Sequence, residues 1–318
     1  MSKLSEKKII ELFQSKLGNA NFVPEDVELF KIGKEKLVVK VDTFVESTDL
    51  PPGMKLEDAA RKSIVSCVSD FVAKGVKPIF GIVSLTIPKK LSRSNIESLA
   101  CGFQRAAREF ELKILGGDTN EGKELVMTVS LFGASKKIIG RSGAKTNHVI
   151  IASGPFGHTG AGLAILLKNK KSSKKFGTRA KNAVFKPECR LSFGLKNKKY
   201  FSSSMDSSDG LSTTLNEMSN QSKKKFVITS MPSNNDVFDF ATSNNLNPKD
   251  LILNGGEEYE IVATTNKSNL LKIKKDAKKH GIKIYEIGYV AKGSGVFYKT
   301  NGKLVRIKDK GWQHLQKR

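Results

Sequence analysis

Aspartates stand where a phosphate-handling site would need them. Asp42 falls inside a strand-like run at 37–45, where aspartate is a poor strand former and needs a compensating partner. Asp70 falls on a helical stretch, 57–76, about 80° from the centre of its apolar stripe (Ala60, Ile64, Cys67, Phe71), at the border between core and solvent. Asp118 follows a short strand and two glycines in Leu115-Gly116-Gly117-Asp118-Thr119, where glycine permits a tight turn or close approach by a ligand. Asp206 and Asp209 bracket a strand-to-helix junction in Met205-Asp206-Ser207-Ser208-Asp209-Gly210-Leu211. Taken singly, each has an ordinary explanation: a turn former at Asp118, a helix N-cap at Asp206 or Ser207, a surface position at Asp70. Their recurrence at strand ends and helix borders, in a chain with 31 acidic and 55 basic residues, points to a shared cation. Clustered carboxylates repel unless neutralised, and such hard oxygen ligands suit Mg²⁺ bridging to substrate phosphates.

The elements that must position these residues alternate between strand and helix. Runs at 37–45, 79–86, 112–115 and 125–132 read as strands, with helices at 57–76 and 92–110. In the first strand Leu37, Val39, Val41, Thr43 and Val45 share one face, and Asp42 lies on the other with Val38 and Phe44. A Gly-, Ser- and Lys-rich loop at 133–147 marks a domain boundary. Beyond it, strand 148–152 leads through a glycine-rich turn, 154–162, into a helix ending at Leu167. Residues 168–177 read as a basic, mobile loop. Strands at 201–205, 226–229, 259–264 and 283–289 then alternate with helices at 208–219, 235–244 and 268–280. The fold class is α/β, with two domains in tandem.

Other chemistries find little support. The three cysteines, Cys67, Cys101 and Cys189, are far apart and without CxxC spacing, so they read as small buried hydrophobes in a reducing compartment rather than a disulfide or zinc framework. The histidines are dispersed. No Gly-Lys pair is followed by Ser or Thr, which removes a P-loop, and no GxGxxG follows the first strand. No apolar stretch is long enough for a bilayer, and residues 1–10 lack the apolar core of a secretory signal, so a cytoplasmic protein with no membrane partner is expected. The formal net charge of +24 is spread along the chain without aromatic-rich basic motifs, which reads as a basic surface that draws anionic substrates rather than as a specific nucleic-acid site.

Several segments together resemble the thiamine-monophosphate kinase family. They are Val41-Asp42-Thr43-Phe44-Val45-Glu46, Ser69-Asp70-Phe71-Val72-Ala73-Lys74-Gly75, Gly116-Gly117-Asp118-Thr119, Arg141-Ser142-Gly143-Ala144-Lys145, Asp206-Ser207-Ser208-Asp209-Gly210-Leu211 and Gly255-Gly256-Glu257-Glu258-Tyr259-Glu260. The resemblance covers most of the chain. It implies an N-terminal ATP- and Mg-binding domain at 1–137, with a mixed sheet and helices forming the dimer and ATP site, and a C-terminal α/β sandwich at 145–318. It assigns Mg²⁺ to Asp26, Asp42, Asp70, Asp118, Asp206 and Asp209, with catalysis resting on Asp42, Asp70, Asp118 and Asp209. Gly117, Arg141 and Ser208 correspond to the family's ATP contacts. Asp49, Glu257 and Trp312 correspond to its thiamine-phosphate contacts. Departures are Pro24-Glu25-Asp26-Val27 in place of Gly-Asp-Asp-Ala, Asp49 where the family has histidine, Thr214 in place of aspartate, and Glu258 in place of aspartate.

The implied reaction is in-line transfer of the ATP γ-phosphoryl group to thiamine monophosphate. It is governed by positioning and charge neutralisation, because the acceptor phosphate is already ionised. Two alternatives stand beside it: an aminoimidazole ribonucleotide synthetase-like ATP-dependent reaction on the same scaffold, and a non-catalytic basic protein that binds nucleic acid.

Overall fold

The computed structural model describes residues 5–19 and 21–315. Part of the 1–10 segment read for a leader, and the chain end beyond Leu315, lie outside the described residues. Helix α1 (Glu6–Lys16) precedes a five-stranded sheet of β1 (Glu28–Ile32), β2 (Glu35–Val45), β3 (Pro78–Pro88), β4 (Lys113–Gly122) and β5 (Val126–Ala134). Its spatial order is β1-β2-β5-β3-β4, antiparallel except for the β3/β4 pair. The short α2 (Glu46–Asp49), α3 (Leu56–Ala73) and α4 (Arg93–Glu109) connect its strands.

A seven-stranded sheet follows, formed by β6 (Val149–Ala152), β7 (Phe201–Asp206), β8 (Lys225–Ile228), β9 (Ile261–Thr265), β10 (Tyr285–Ala291), β11 (Gly295–Thr300) and β12 (Lys303–Arg306) in the order β12-β11-β8-β10-β6-β9-β7. Helices α5 (His158–Lys168), α6 (Lys174–Phe185), α7 (Leu191–Asn197), α8 (Leu211–Ser222), α9 (Asn235–Ser243), α10 (Pro248–Asn254) and α11 (Leu270–Lys279) pack around it.

Helix α3 holds the molecule together. Its apolar residues Ile64, Cys67, Val68 and Phe71 share one core with Val38, Val129 and Leu131 of the first sheet and Ile151, Ile261 and Ala263 of the second. A helix enclosed this way must bury polar residues too, and Asp58, Arg61, Lys62, Ser69 and Asp70 are all buried on it. It stops in a Schellman turn: Val76 N donates to Phe71 O, Gly75 N donates to Val72 O, and Gly75 takes φ +70°. That turn leaves Lys74 at the helix end with no exposed surface.

Several sequence expectations change. The packed face of β2 is the one with Val38, Asp42 and Phe44, while Val41 is 56% exposed, so the longer apolar alternation faces outward. The Gly-Gly-Asp-Thr segment lies within β4 rather than in a turn. A Cβ on Gly117 would come within 1.6 Å of Val83 O, so this strand approach requires glycine there. Helix α8 starts at Leu211 with Gly210 at its N-cap and no side-chain cap, so neither Asp206 nor Ser207 is a capping residue. The basic loop is shorter than 168–177, because Ser173 caps α6, and Asn244 exchanges hydrogen bonds with Lys171 in it. Cys101 is exposed rather than buried.

Candidate active site

Three carboxylates from three distant segments meet where α3 passes between the sheets. Asp26 comes from the segment before β1, Asp70 from α3 and Asp206 from the end of β7. One oxygen from each lies within 4.8 Å of the others, and all three residues are buried. Three cations of the chain face them. Lys74 Nζ is 2.9 Å from Asp26 Oδ2 and 2.7 Å from Glu25. The Arg141 guanidinium is 2.6 Å from Asp26 Oδ1, and Lys40 Nζ is 2.8 Å from Asp70. Ser69 Oγ donates to Asp206 Oδ2.

The local folding that builds this group is simple. On α3, Asp70 and Lys74 are one turn apart and share a face. On β2, Lys40 and Asp42 alternate with Val38 and Phe44 on the packed face, so both point toward α3.

Electrostatics separates the three carboxyls. Burial alone would raise Asp26, but Lys74 and Arg141 outweigh it and hold this carboxyl below the ordinary range. Burial pushes Asp70 well up; Lys40 offsets part of this, while Asp206, Asp26 and Asp42 add to it. Burial, then Asp26, raise Asp206 to about 6. Burial works against the Lys40 ammonium, yet Asp70 and Asp42 outweigh it and raise its pKa. The cluster therefore carries more negative charge than it can comfortably ionise. Among the described residues Asp26 Oδ2 has no hydrogen bond of good geometry, its contact with Lys74 being an ion pair. An all-oxygen donor set short of positive charge fits Mg²⁺.

Asp209 is half-buried near this group. Burial and Asp206 raise its carboxyl to about 7. Its carbonyl accepts from Trp312 N at 2.9 Å, which brings the C-terminal tryptophan, 37% exposed, beside the second-sheet aspartates. The ring lies edge-on to His314 rather than in the core. The 206–210 segment is tied to the 255–260 loop: Glu257 N donates to Ser208 O and Tyr259 N to Ser207 O. Glu257 and Tyr259 hold φ of 58° and 51°, uncommon for non-glycine residues, as such loop-to-loop pinning requires. Glu257 also takes Lys62 Nζ at 2.5 Å, a fully buried ammonium from α3. Asp49, on α2, accepts from Val45 N at 2.7 Å, and burial pushes the nearby Tyr259 phenol well up, with Glu257 and, last, Asp49 among the carboxylates that add to it.

Of the expected residues, Asp26, Asp42, Asp70, Arg141, Asp206, Ser208 and Asp209 converge here, with Asp49, Glu257 and Trp312 around the same junction. Asp42 lies outside the three-carboxylate group, though near enough to act on Asp70 and Lys40, and Asp118 is not in the group either. Its register puts it in a row with Ser84, Thr128 and Thr43, one residue out of the Asp42 row, and it accepts from Asn120 on the exposed edge strand β4. Gly117 lies beside it. Sequence reasoning missed Lys40, Lys62 and Lys74. The signal was there for Lys40, a charge alternating with buried Val38 and Phe44.

A family model for the AIR synthase related protein N-terminal domain matches residues 24–135, and one for the C-terminal domain of the same family matches 145–300. The thiamine-monophosphate kinase of Nitrosopumilus maritimus (strain SCM1) is 55% identical over 316 residues, covering 99% of this chain and 100% of that protein. That of Pyrococcus horikoshii is 31% identical, with 99% and 98% covered. A solved structure of AaThiL complexed with AMPPCP and TMP superposes with a TM-score of 0.85 at 28% identity, covering 98% of this chain and 97% of that one.

Proposed function

The chain belongs to the thiamine-monophosphate kinase family, and on that premise we propose how its residues carry out the reaction. It is an ATP-dependent phosphotransferase that moves the γ-phosphoryl group of ATP to thiamine monophosphate, giving thiamine diphosphate. The observation that carries the mechanism is the buried meeting of Asp26, Asp70 and Asp206 with Lys40, Lys74 and Arg141.

In this reading Asp26, Asp70 and Asp206 would hold Mg²⁺, and Asp42 and Asp209 would add negative charge nearby. Bound there, Mg²⁺ supplies charge neutralisation for phosphate oxygens. With Asp42, Asp209 and Glu25 beside them, the three carboxylates outnumber Lys40, Lys74 and Arg141, so a divalent cation would offset the excess negative charge and let the site accept a polyphosphate. Arg141 is free to turn from Asp26 to a phosphate once that carboxylate has another partner. Lys40 keeps Asp70 oriented. Ser208 sits between the two loops at the nucleotide side. Gly117 and Asp118 supply the nucleotide end on the strength of the family motif, and their exposed edge strand leaves them open to a ligand.

Glu257, held by Lys62, and Asp49 line the acceptor side, with Trp312 offering its indole face to the flat cationic rings of thiamine. Loop pinning between 206–210 and 255–260 couples the two substrate sides and aligns donor and acceptor phosphates. That alignment is the main requirement of the transfer.

We extend the proposal to two domains, 1–137 and 145–318, and to a homodimer. A second copy of the chain would cover the outward face of the first sheet, where Val41, Phe80 and Ile82 are each more than 40% exposed. A cytoplasmic location is part of the same reading and is supported by the three free thiols. Among the described residues no helix is long and apolar enough to cross a membrane.

Incubation with γ-labelled ATP, Mg²⁺ and thiamine monophosphate tests the reaction: the label should appear in the terminal phosphate of thiamine diphosphate. Label released only as inorganic phosphate would overturn the acceptor assignment.

A further inference from the structure

One buried carboxyl lies outside this chemistry. Glu257 reaches Lys62, but its neighbour Glu258 turns toward the start of α5 and is 8% exposed. Its Oε1 accepts from Thr159 Oγ1 at 2.5 Å and from Gly157 N at 3.3 Å, at the N-terminus of α5. Its Oε2 is buried with no hydrogen-bond partner among the described residues. A buried polar atom left this way costs about 1–3 kcal/mol, so a partner is wanted there. Burial pushes the carboxyl up to about 8 against the Thr159 and Gly157 hydrogen bonds that lower it, which favours the protonated form at neutral pH, a donor with no acceptor among the described residues.

Glu258 forms part of the wall of a cleft of about 630 Å³ between α5, α6 and the 186–190 segment. The other carboxylates around it are already engaged. Glu188 and Glu260 pair with Arg190, and Asp236 pairs with Arg179 and His158. The basic side chains are not matched one for one. Lys175 has no ion pair among the described residues, and Lys186 is 3.8 Å from its carboxylate, Asp58. The cleft thus combines a helix N-terminus, two under-neutralised lysines at its rim and a buried donor in its wall.

We propose that this cleft is a second binding site, separate from the three-carboxylate centre, for a small phosphate-bearing anion. The anion's oxygens would accept from the Glu258 carboxyl and sit before the first turn of α5, where the helix dipole favours negative charge. Lys175 and Lys186 would neutralise it from the rim.

Calorimetric titration of the full chain with inorganic pyrophosphate, in EDTA at pH 7, tests this. Lys175→Ala/Lys186→Ala, both exposed residues, should weaken binding by about tenfold or more, whereas Arg141→Ala in the other centre should change it less than about twofold. Glu258→Gln, whose amide still donates, should keep binding that Glu258→Leu loses, with melting curves checking that each variant is folded. Binding that follows Arg141 and ignores the lysine pair would overturn the proposal. So would the absence of binding at pyrophosphate on the order of 10 mM.

Discussion

Lys74→Met isolates the balance of charge on which the candidate site depends. The Lys74 side chain has no exposed surface, and its ammonium serves Asp26, Glu25 and the carbonyl of Ser204. Methionine keeps much of the stem and removes the charge. Asp26, itself fully enclosed, then keeps Arg141 as its one ion pair among the described residues, with Lys40 acting on it from further away. Removing one partner of a buried pair costs about 3–5 kcal/mol, because the other charge stays buried. At about 2 °C per kcal/mol, the low end for large domains, Tm in EDTA should fall by about 6–10 °C. The second half of the prediction concerns Mg²⁺. Lys74 competes with a cation for Asp26, so its removal tightens metal binding, and stabilisation grows with the ratio of ligand to Kd. Mg²⁺ should therefore raise Tm more in Lys74→Met than in the parent, and Lys74→Arg should resemble the parent in both respects. A Tm within about 2 °C of the parent, or equal stabilisation of both proteins by Mg²⁺, would refute the reasoning.

Four further outcomes follow from the same geometry. Asp70→Asn keeps shape and removes charge, so turnover should fall by about a hundredfold or more with the fold intact, read by product formation and a melting curve. Asp209→Asn should raise the Mg²⁺ concentration needed for half-maximal rate, with excess Mg²⁺ restoring part of the activity; an unchanged Mg²⁺ profile would remove Asp209 from the site. Asp206 and Asp209 titrate near 6 and 7, above the ordinary carboxylate value, so the native state holds their protons more tightly than the unfolded one. In EDTA these two groups make stability fall as pH rises from about 4 to 7, and Mg²⁺ binding at pH 6 should release protons, measurable as a buffer-dependent binding enthalpy. Trp312→Ala should raise the KM for thiamine monophosphate by about tenfold while the KM for ATP holds, and a change in Tm alone would make the ring an anchor.

The parts of this site that could be read in the sequence were acids in apolar surroundings. Asp42 among β-formers and Asp70 beside the α3 stripe are visible because burial of a lone carboxylate needs an explanation. Asp26 was visible only through family resemblance, since Pro24-Glu25-Asp26-Val27 has no periodicity around it. Of the cations that balance these acids, Arg141 is legible through the resemblance and the lysines are not. Lys62 and Lys74 look like ordinary lysines in a chain of 55 basic residues, and only the enclosure of α3 by two sheets makes them buried. The same enclosure explains the inverted reading of β2. Its longer apolar face suggests a core, whereas the packed face carries Lys40 and Asp42. Short elements such as α7 and α10, seven residues each, carry too little periodicity to register. Gly116-Gly117 suggested a turn because a strand that needs glycine for close approach to its neighbour has the same local composition.

The most direct test of the account is the position of the metal. Crystals grown with Mn²⁺ in place of Mg²⁺, a non-hydrolysable ATP analogue and thiamine monophosphate should show an anomalous peak about 2.2 Å from carboxylate oxygens of Asp26, Asp70 and Asp206, with Arg141 turned from Asp26 toward a phosphate. Strong peaks elsewhere, with those three carboxylates still paired to Lys40, Lys74 and Arg141, would contradict it.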